Sequence, residues 1–217
     1  MMQTLRQRLK KNVTFIVLEG LDGAGTSTQC ALLVEWLQQL GHQVIATREP
    51  TDGPWGQQAR HALRGDISLS PLSLAFTFMA DRAHHLIELR ERSVPGTVII
   101  SDRYFFSYLA YQQTDSSKSP EWFLKTVEPL PLPDLTVFLD VPPAVCVARM
   151  QQRSSQIERF EQLTMLERID GAYRRIFIVY AQQGYNIVNI DGQPPADAVQ
   201  AALHMVVTDC LKTTSTR

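Results

Sequence analysis

The chain has 217 residues, 44% of them hydrophobic and 20% charged, with a formal net charge of −1 at pH 7. That length supplies one sizeable core without a second domain, and the near-neutral balance argues against a molecule that binds nucleic acid or membranes through overall charge. No apolar run approaches the ~18 residues of a membrane helix, and Cys30, Cys146 and Cys210 form no CxxC pair, which argues against a zinc site or a disulfide framework and for a reducing, cytoplasmic setting.

Residues 1–12 carry Arg6, Arg8, Lys10 and Lys11 with no signal-type apolar region behind them, so a short solvated extension is expected before a single domain over 13–212. Residues 13–18 are nearly all apolar, the pattern of a strand buried on both faces of a parallel sheet. A glycine-rich turn follows, then a predicted helix over 27–40 stopped by Gly41. A second strand is predicted over 43–47, with Arg48, Glu49 and Pro50 turning off its end. Pro71 suits the first turn of a long helix over 71–92. Three more strands are expected over 97–101, 135–141 and 185–190, and helices around 143–153, 164–183 and 195–211. Residues 114–133 hold four prolines around a short helical piece, and 213–217 are expected to fray. This alternation predicts an α/β fold, a five-stranded parallel sheet with helices on both faces.

The most informative local pattern is Gly20-Leu21-Asp22-Gly23-Ala24-Gly25-Thr26-Ser27-Thr28, set between an apolar strand and a helix. Glycines let such a loop curl its N–H groups inward, and the helix that follows adds unpaired donors and partial positive charge. Residues 20–28 are therefore candidates for cradling the phosphates of ATP, with the Ser27 hydroxyl placed to reach Mg²⁺. Against GxxxxGK[ST], Gly20, Gly25 and Ser27 match, but Thr26 stands where the lysine belongs. Threonine donates a hydrogen bond and brings no charge to the β/γ-phosphates.

Several further segments, in order, resemble the motifs of thymidylate kinases, a family of P-loop nucleoside-monophosphate kinases. They are residues 15–25, then Thr47-Arg48-Glu49-Pro50, then Phe78-Met79-Ala80-Asp81-Arg82, then Ser101-Asp102-Arg103-Tyr104, then Leu109-Ala110-Tyr111-Gln112 and residues 133–141. The likeness spans about 13–192. It implies phosphoryl transfer from MgATP to dTMP, giving ADP and dTDP for dTTP synthesis, by a cytoplasmic homodimer.

The resemblance also implies roles for individual residues. Arg48, leaving a strand end, would hold the monophosphate, which suits a two-pronged donor. Phe78 and Arg82, four apart on one helix face, would stack on the base and bond its carbonyl edge. Tyr111 would lie beneath the deoxyribose, where a 2′-hydroxyl would crowd it, with Gln112 near the base. Asp22 would sit near the sugar 3′-hydroxyl and the metal, Asp102 would hold Mg²⁺ through water with Ser27, and Arg103 would bridge the acceptor and transferred phosphates. Arg149, Arg153 and Arg159 bracket a polar segment resembling the family's short mobile lid, at about 150–161, with Arg153 and then Arg159 as its catalytic cations. Arg168, Arg174 and Arg175 read as surface residues, and His84 and His85 as helix residues without a metal pattern. Two alternatives stay open: a non-catalytic or weakly active nucleotide-binding relative, and a kinase of another nucleoside monophosphate.

Overall fold

The computed structural model describes residues 9–115, 118–152 and 159–215; the side chains at 114–115, 159–161 and 215 fall outside that description. Five strands form one parallel sheet: β1 (Thr14–Gly20), β2 (Val44–Arg48), β3 (Val98–Asp102), β4 (Leu135–Asp140) and β5 (Ile187–Asp191), in the order β2-β3-β1-β4-β5. The helices are α1 (Thr26–Gln39), α2 (Pro54–Leu63), α3 (Pro71–Arg92), α4 (Phe105–Asp115), α5 (Pro120–Val127), α6 (Pro143–Gln151), α7 (Arg159–Gln182) and α8 (Ala196–Ser215).

Every residue of β1 is buried, which explains its lack of polar alternation: a central parallel strand meets helices on both sides. Helices α1 and α8 pack together, as do α4 and α7. The strand registers align the functional ends: Leu18 and Arg48 are both partners of Asp102, so β1, β2 and β3 finish at one level. Open α/β sheets place their ligands at such carboxyl ends.

The strands and the major helices lie within a few residues of their predicted bounds, and α3 begins and ends where the sequence places it. Two expectations about the ends differ. The described part of the N-terminal segment is docked: Leu9 is buried, and Lys10 Nζ donates to the carbonyls of Arg90 (2.8 Å) and Ser93 (2.5 Å). A cation satisfying carbonyls at a helix C-terminus explains why this segment is held. At the other end α8 continues to Ser215, where Thr214 Oγ1 meets Thr14 Oγ1 at 3.0 Å.

Candidate active site

β1 delivers Glu19 and Gly20 to the open end of the sheet, and the chain then curls through Gly23 (φ 88°) and Gly25 (φ 98°), the left-handed region where glycine is unstrained. Gly23 also permits a close approach: a Cβ there would lie 2.5 Å from the Cys146 carbonyl oxygen. No side chain caps the N-terminus of α1, and its first turn holds no acidic residue. The predicted phosphate cradle, residues 20–28, thus ends at a helix start whose N–H groups can face an anion. Thr26 itself is buried, its methyl packed so near Gly20 that a Cβ there would sit 3.0 Å away.

Ser27, at the start of α1, donates its hydroxyl to Asp102 Oδ2 at the end of β3. Asp102 Oδ1 is buried and has no partner among the described residues. An orphaned carboxylate oxygen beside a hydroxyl suits a small hard cation that keeps most of its shell as water and substrate phosphate. Among the described residues, no group of three or more His, Cys, Asp and Glu side chains could supply a complete cage.

The next residue, Arg103, has φ 72°, a left-handed conformation rare for a long side chain. It is strapped there: its N–H donates to the Leu18 carbonyl (2.9 Å), and Ser101 Oγ donates to the Arg103 carbonyl (2.7 Å). The turn sends the guanidinium back over the loop. Nη2 pairs with Asp22 Oδ1 at 2.8 Å, Nη1 reaches Ser107 Oγ at 3.0 Å, and the group lies 5.2 Å from the Tyr111 ring centre. Tyr111 OH accepts from the Asp22 N–H at 3.1 Å, and burial pushes this phenol well above its ordinary range.

Arg48 leaves β2 exposed, and its Nη2 donates to both carboxylate oxygens of Asp52 (2.7 and 2.9 Å), holding that carboxyl below its usual range. Glu49, one residue on, is buried and pairs with Arg82 Nη2 at 2.6 Å and Nε at 2.7 Å. Arg82 is 2% exposed, and its guanidinium also sits 5.2 Å from the Tyr108 ring centre. Read along the chain, this arginine has only a ligand to bond; in the fold its Nε and Nη2 are committed to Glu49. A single cavity of about 290 Å³ brings these groups together. Asp22, Ser27, Asp102 and Arg103 line it, and so do Arg48, Phe78, Arg82, Tyr111 and Gln112.

Two of the predicted site residues are not placed. Arg153 lies outside the described residues, and Arg159 opens α7 with a side chain that is not described. Arg149 is committed to the backbone, donating to the carbonyls of Ala24 (3.3 Å) and Gly192 (3.1 Å). Arg174, read as a surface residue, pairs with Asp140 and Asp170, each at 2.8 Å. Cys30, just behind the loop, is buried, and that burial raises its thiol well above the ordinary value, which keeps it unreactive.

Sequence reasoning missed Arg60, Leu63, Ser107 and Tyr108 on the cavity wall. Arg60 comes from α2, whose Gly53-Pro54 start was a legible first-turn signal. Its guanidinium donates to the carbonyls of Pro50 and Thr51, bracing the turn beyond Arg48. It also missed Glu19, which is wholly buried. Glu19 accepts hydrogen bonds from the N–H groups of Tyr104 (3.0 Å) and Ser107 (3.3 Å), from Ser107 Oγ and from Tyr173 OH (3.0 Å).

Burial outweighs those donors and Arg103, pushing Glu19 from 4.5 to about 7. The folded protein therefore holds a proton there that the unfolded chain releases above 4.5. This contribution to stability is complete below the unfolded value and is lost as pH rises through about 7. Melting temperature is expected to fall between pH 5 and 8, with a change in stability on the order of a few kcal/mol. Glu19→Gln, neutral throughout, should flatten that fall. Parallel melting profiles for the two proteins would contradict it.

Comparison with known proteins identifies the family of the chain. The family model described as thymidylate kinase matches residues 18–203. A thymidylate kinase of Leptospira borgpetersenii is 35% identical over 197 residues, covering 88% of this chain and 92% of that protein. A protein of Thermococcus kodakarensis described as a probable thymidylate kinase is 40% identical over 163 residues, covering 71% and 78%. One from Pyrobaculum aerophilum with the same description is 37% identical over 194 residues, covering 88% and 95%. With its motifs gathered at the carboxyl end of a five-stranded parallel sheet, the chain belongs to the thymidylate kinase family.

Proposed function

We propose that the chain transfers the γ-phosphoryl group of MgATP to the 5′-phosphate of dTMP, releasing ADP and dTDP on the way to dTTP. The observation that carries this reading is the meeting, in one cavity, of Ser27 and Asp102 with Arg48, Arg103, Phe78 and Tyr111. A phosphate-binding end and an aromatic nucleoside-binding end share one space.

The acceptor needs no general base, because an oxygen of the dTMP phosphate already carries negative charge. That oxygen bonds the γ-phosphorus while the bond from the γ-phosphorus to the β-bridging oxygen breaks, and ADP leaves with those electrons. The protein contributes alignment and charge. The 20–28 backbone holds the donor phosphates, Arg48 holds the acceptor phosphate, and Arg103 lies over both. Exchange of Asp52 for that phosphate frees Nη2 of Arg48, the one guanidinium nitrogen that meets the carboxylate. Ser27 and Asp102 would hold Mg²⁺, which would supply positive charge against the phosphate oxygens. Phe78 stacks on the thymine, Arg82 and Gln112 face its edge, and Tyr111 sits under the sugar.

The charge that Thr26 does not supply comes from elsewhere in this reading. Lys10 is tied to the end of α3, which argues against that residue as the source. Arg153, in the segment that joins α6 to α7 and resembles a lid, and Arg159, at the start of α7, are the favoured cations. The protein is proposed to act as a cytoplasmic homodimer; Phe76 and Ile87, eleven residues apart on one exposed side of α3, support an apolar contact there. No described helix is long and apolar enough to cross a membrane.

ADP release on adding dTMP, dUMP, dCMP, dGMP or UMP to protein and MgATP tests the reading. Rapid release with dTMP alone is expected. Silence across the panel, with nucleotide still bound, would mean a non-catalytic relative. Thr26→Lys is expected to change kcat by less than about ten-fold, because the cation has been rebuilt. A rise of about 10²-fold or more, the scale of one lost charge-stabilising group, would instead mark a disabled loop.

A further inference from the structure

We infer that His85, which contacts no ligand in the reading above, is the positioning residue of the acceptor site, setting Arg48 and Arg82 together through one buried imidazole. The inference rests on the proposed roles of those two arginines. His85 lies on α3 one turn beyond Arg82 and is 3% exposed. Its Nε2 meets Thr47 Oγ1 at 2.6 Å, and its Nδ1 meets Glu49 Oε1 at 3.0 Å. Thr47 and Glu49 are the residues immediately before and after Arg48. The ring thus holds both neighbours of Arg48, and Arg48 itself lines the cavity.

The same contact continues to Arg82. Glu49 Oε1 belongs to His85, while Oε2 takes Arg82 Nε at 2.7 Å and Nη2 at 2.6 Å. Two buried donors on opposite oxygens fix the carboxylate plane, and a fixed carboxylate fixes a guanidinium that bonds it side-on. One residue away on α3, Asp81 accepts from the Thr51 N–H (2.8 Å) and hydroxyl (2.5 Å), closing the same grip on segment 47–51. An ionised Glu49 only accepts, so Nδ1 carries the hydrogen and the arrangement selects one tautomer.

Site groups held by a second layer of hydrogen bonds lose function when that layer is removed, even when they remain present. The donor phosphates meet neither Thr47 nor Glu49, so the effect falls on dTMP. His85→Leu keeps the bulk and removes both bonds. It is expected to raise KM for dTMP about ten-fold with KM for ATP changed less than about two-fold. His85→Asn places an amide N–H where Nδ1 stood and is expected to restore most of the loss. His85→Gln, which reaches only toward Thr47, should restore less.

The experiment is steady-state kinetics of wild type and the three variants, with dTMP and MgATP each varied. An unchanged KM for dTMP in His85→Leu, both KM values rising in step, or Asn doing no better than Leu would overturn the inference. If the Leu protein fails to fold, equal KM values for Asn and Gln would overturn it. Wild type in the same assay separates the two readings, since absence of dTMP turnover there defeats the function and leaves the imidazole to be judged by NMR. Ring ¹⁵N shifts of His85 should show Nδ1 protonated, and a bare Nδ1 would overturn the inference without any turnover.

Discussion

Arg103→Ala is expected to lower kcat/KM for dTMP by on the order of 10²- to 10⁵-fold, the range for losing a cation that stabilises a transferring phosphoryl group. The argument starts from the backbone. A left-handed arginine costs conformational energy unless its surroundings enforce it, and here the Leu18 carbonyl and the Ser101 hydroxyl do so. That turn brings the guanidinium from the end of β3 across to Asp22 in the phosphate loop. With Thr26 supplying no charge, the rate depends more heavily on this group. The Asp22 carboxylate, about half exposed, rehydrates when the partner is gone, so melting temperature should move by only a few degrees. A loss of less than ten-fold, with the fold intact, would contradict the role.

Asp102→Asn should raise the Mg²⁺ concentration needed for half-maximal rate by about 10- to 100-fold, the scale for disturbing a group that holds a metal through its shell. Asparagine keeps the shape and can still accept from Ser27. It removes the charge and gives Oδ1, now orphaned in a buried setting, an amide or carbonyl in its place. Because the carboxylate costs energy where it stands, the variant should be as stable as wild type or more so. A structural carboxylate would show the reverse pattern, an unchanged Mg²⁺ titration with a lowered melting temperature.

Much of the architecture was legible because the hydrophobic pattern changes period where the elements change. The nearly unbroken apolar run of β1, strand-length and followed at once by glycines that mark the loop, reads as a strand buried on both sides. Helix α2 was not read because its ten residues hold only two large apolar side chains, Trp55 and Leu63, and carry Gly56 inside. Arg60, which braces the turn at Pro50, was missed with it. The site was legible where chemistry sits in contiguous motifs, as at Asp102-Arg103 and Phe78 to Arg82. Pairings across the fold were not: Glu49 and Arg82 are 33 positions apart, and Glu19 and Tyr173 are 154 apart. A pattern of residue types along the chain shows that an arginine is present, but only the fold shows that a buried glutamate holds it.

The most direct test of phosphoryl transfer to dTMP is to follow purified protein, MgATP and dTMP by ³¹P NMR. The account predicts that the γ-phosphorus signal of ATP declines as the β-phosphorus signal of dTDP grows in equal amount. An unchanged spectrum, or inorganic phosphate appearing in place of dTDP, would contradict it.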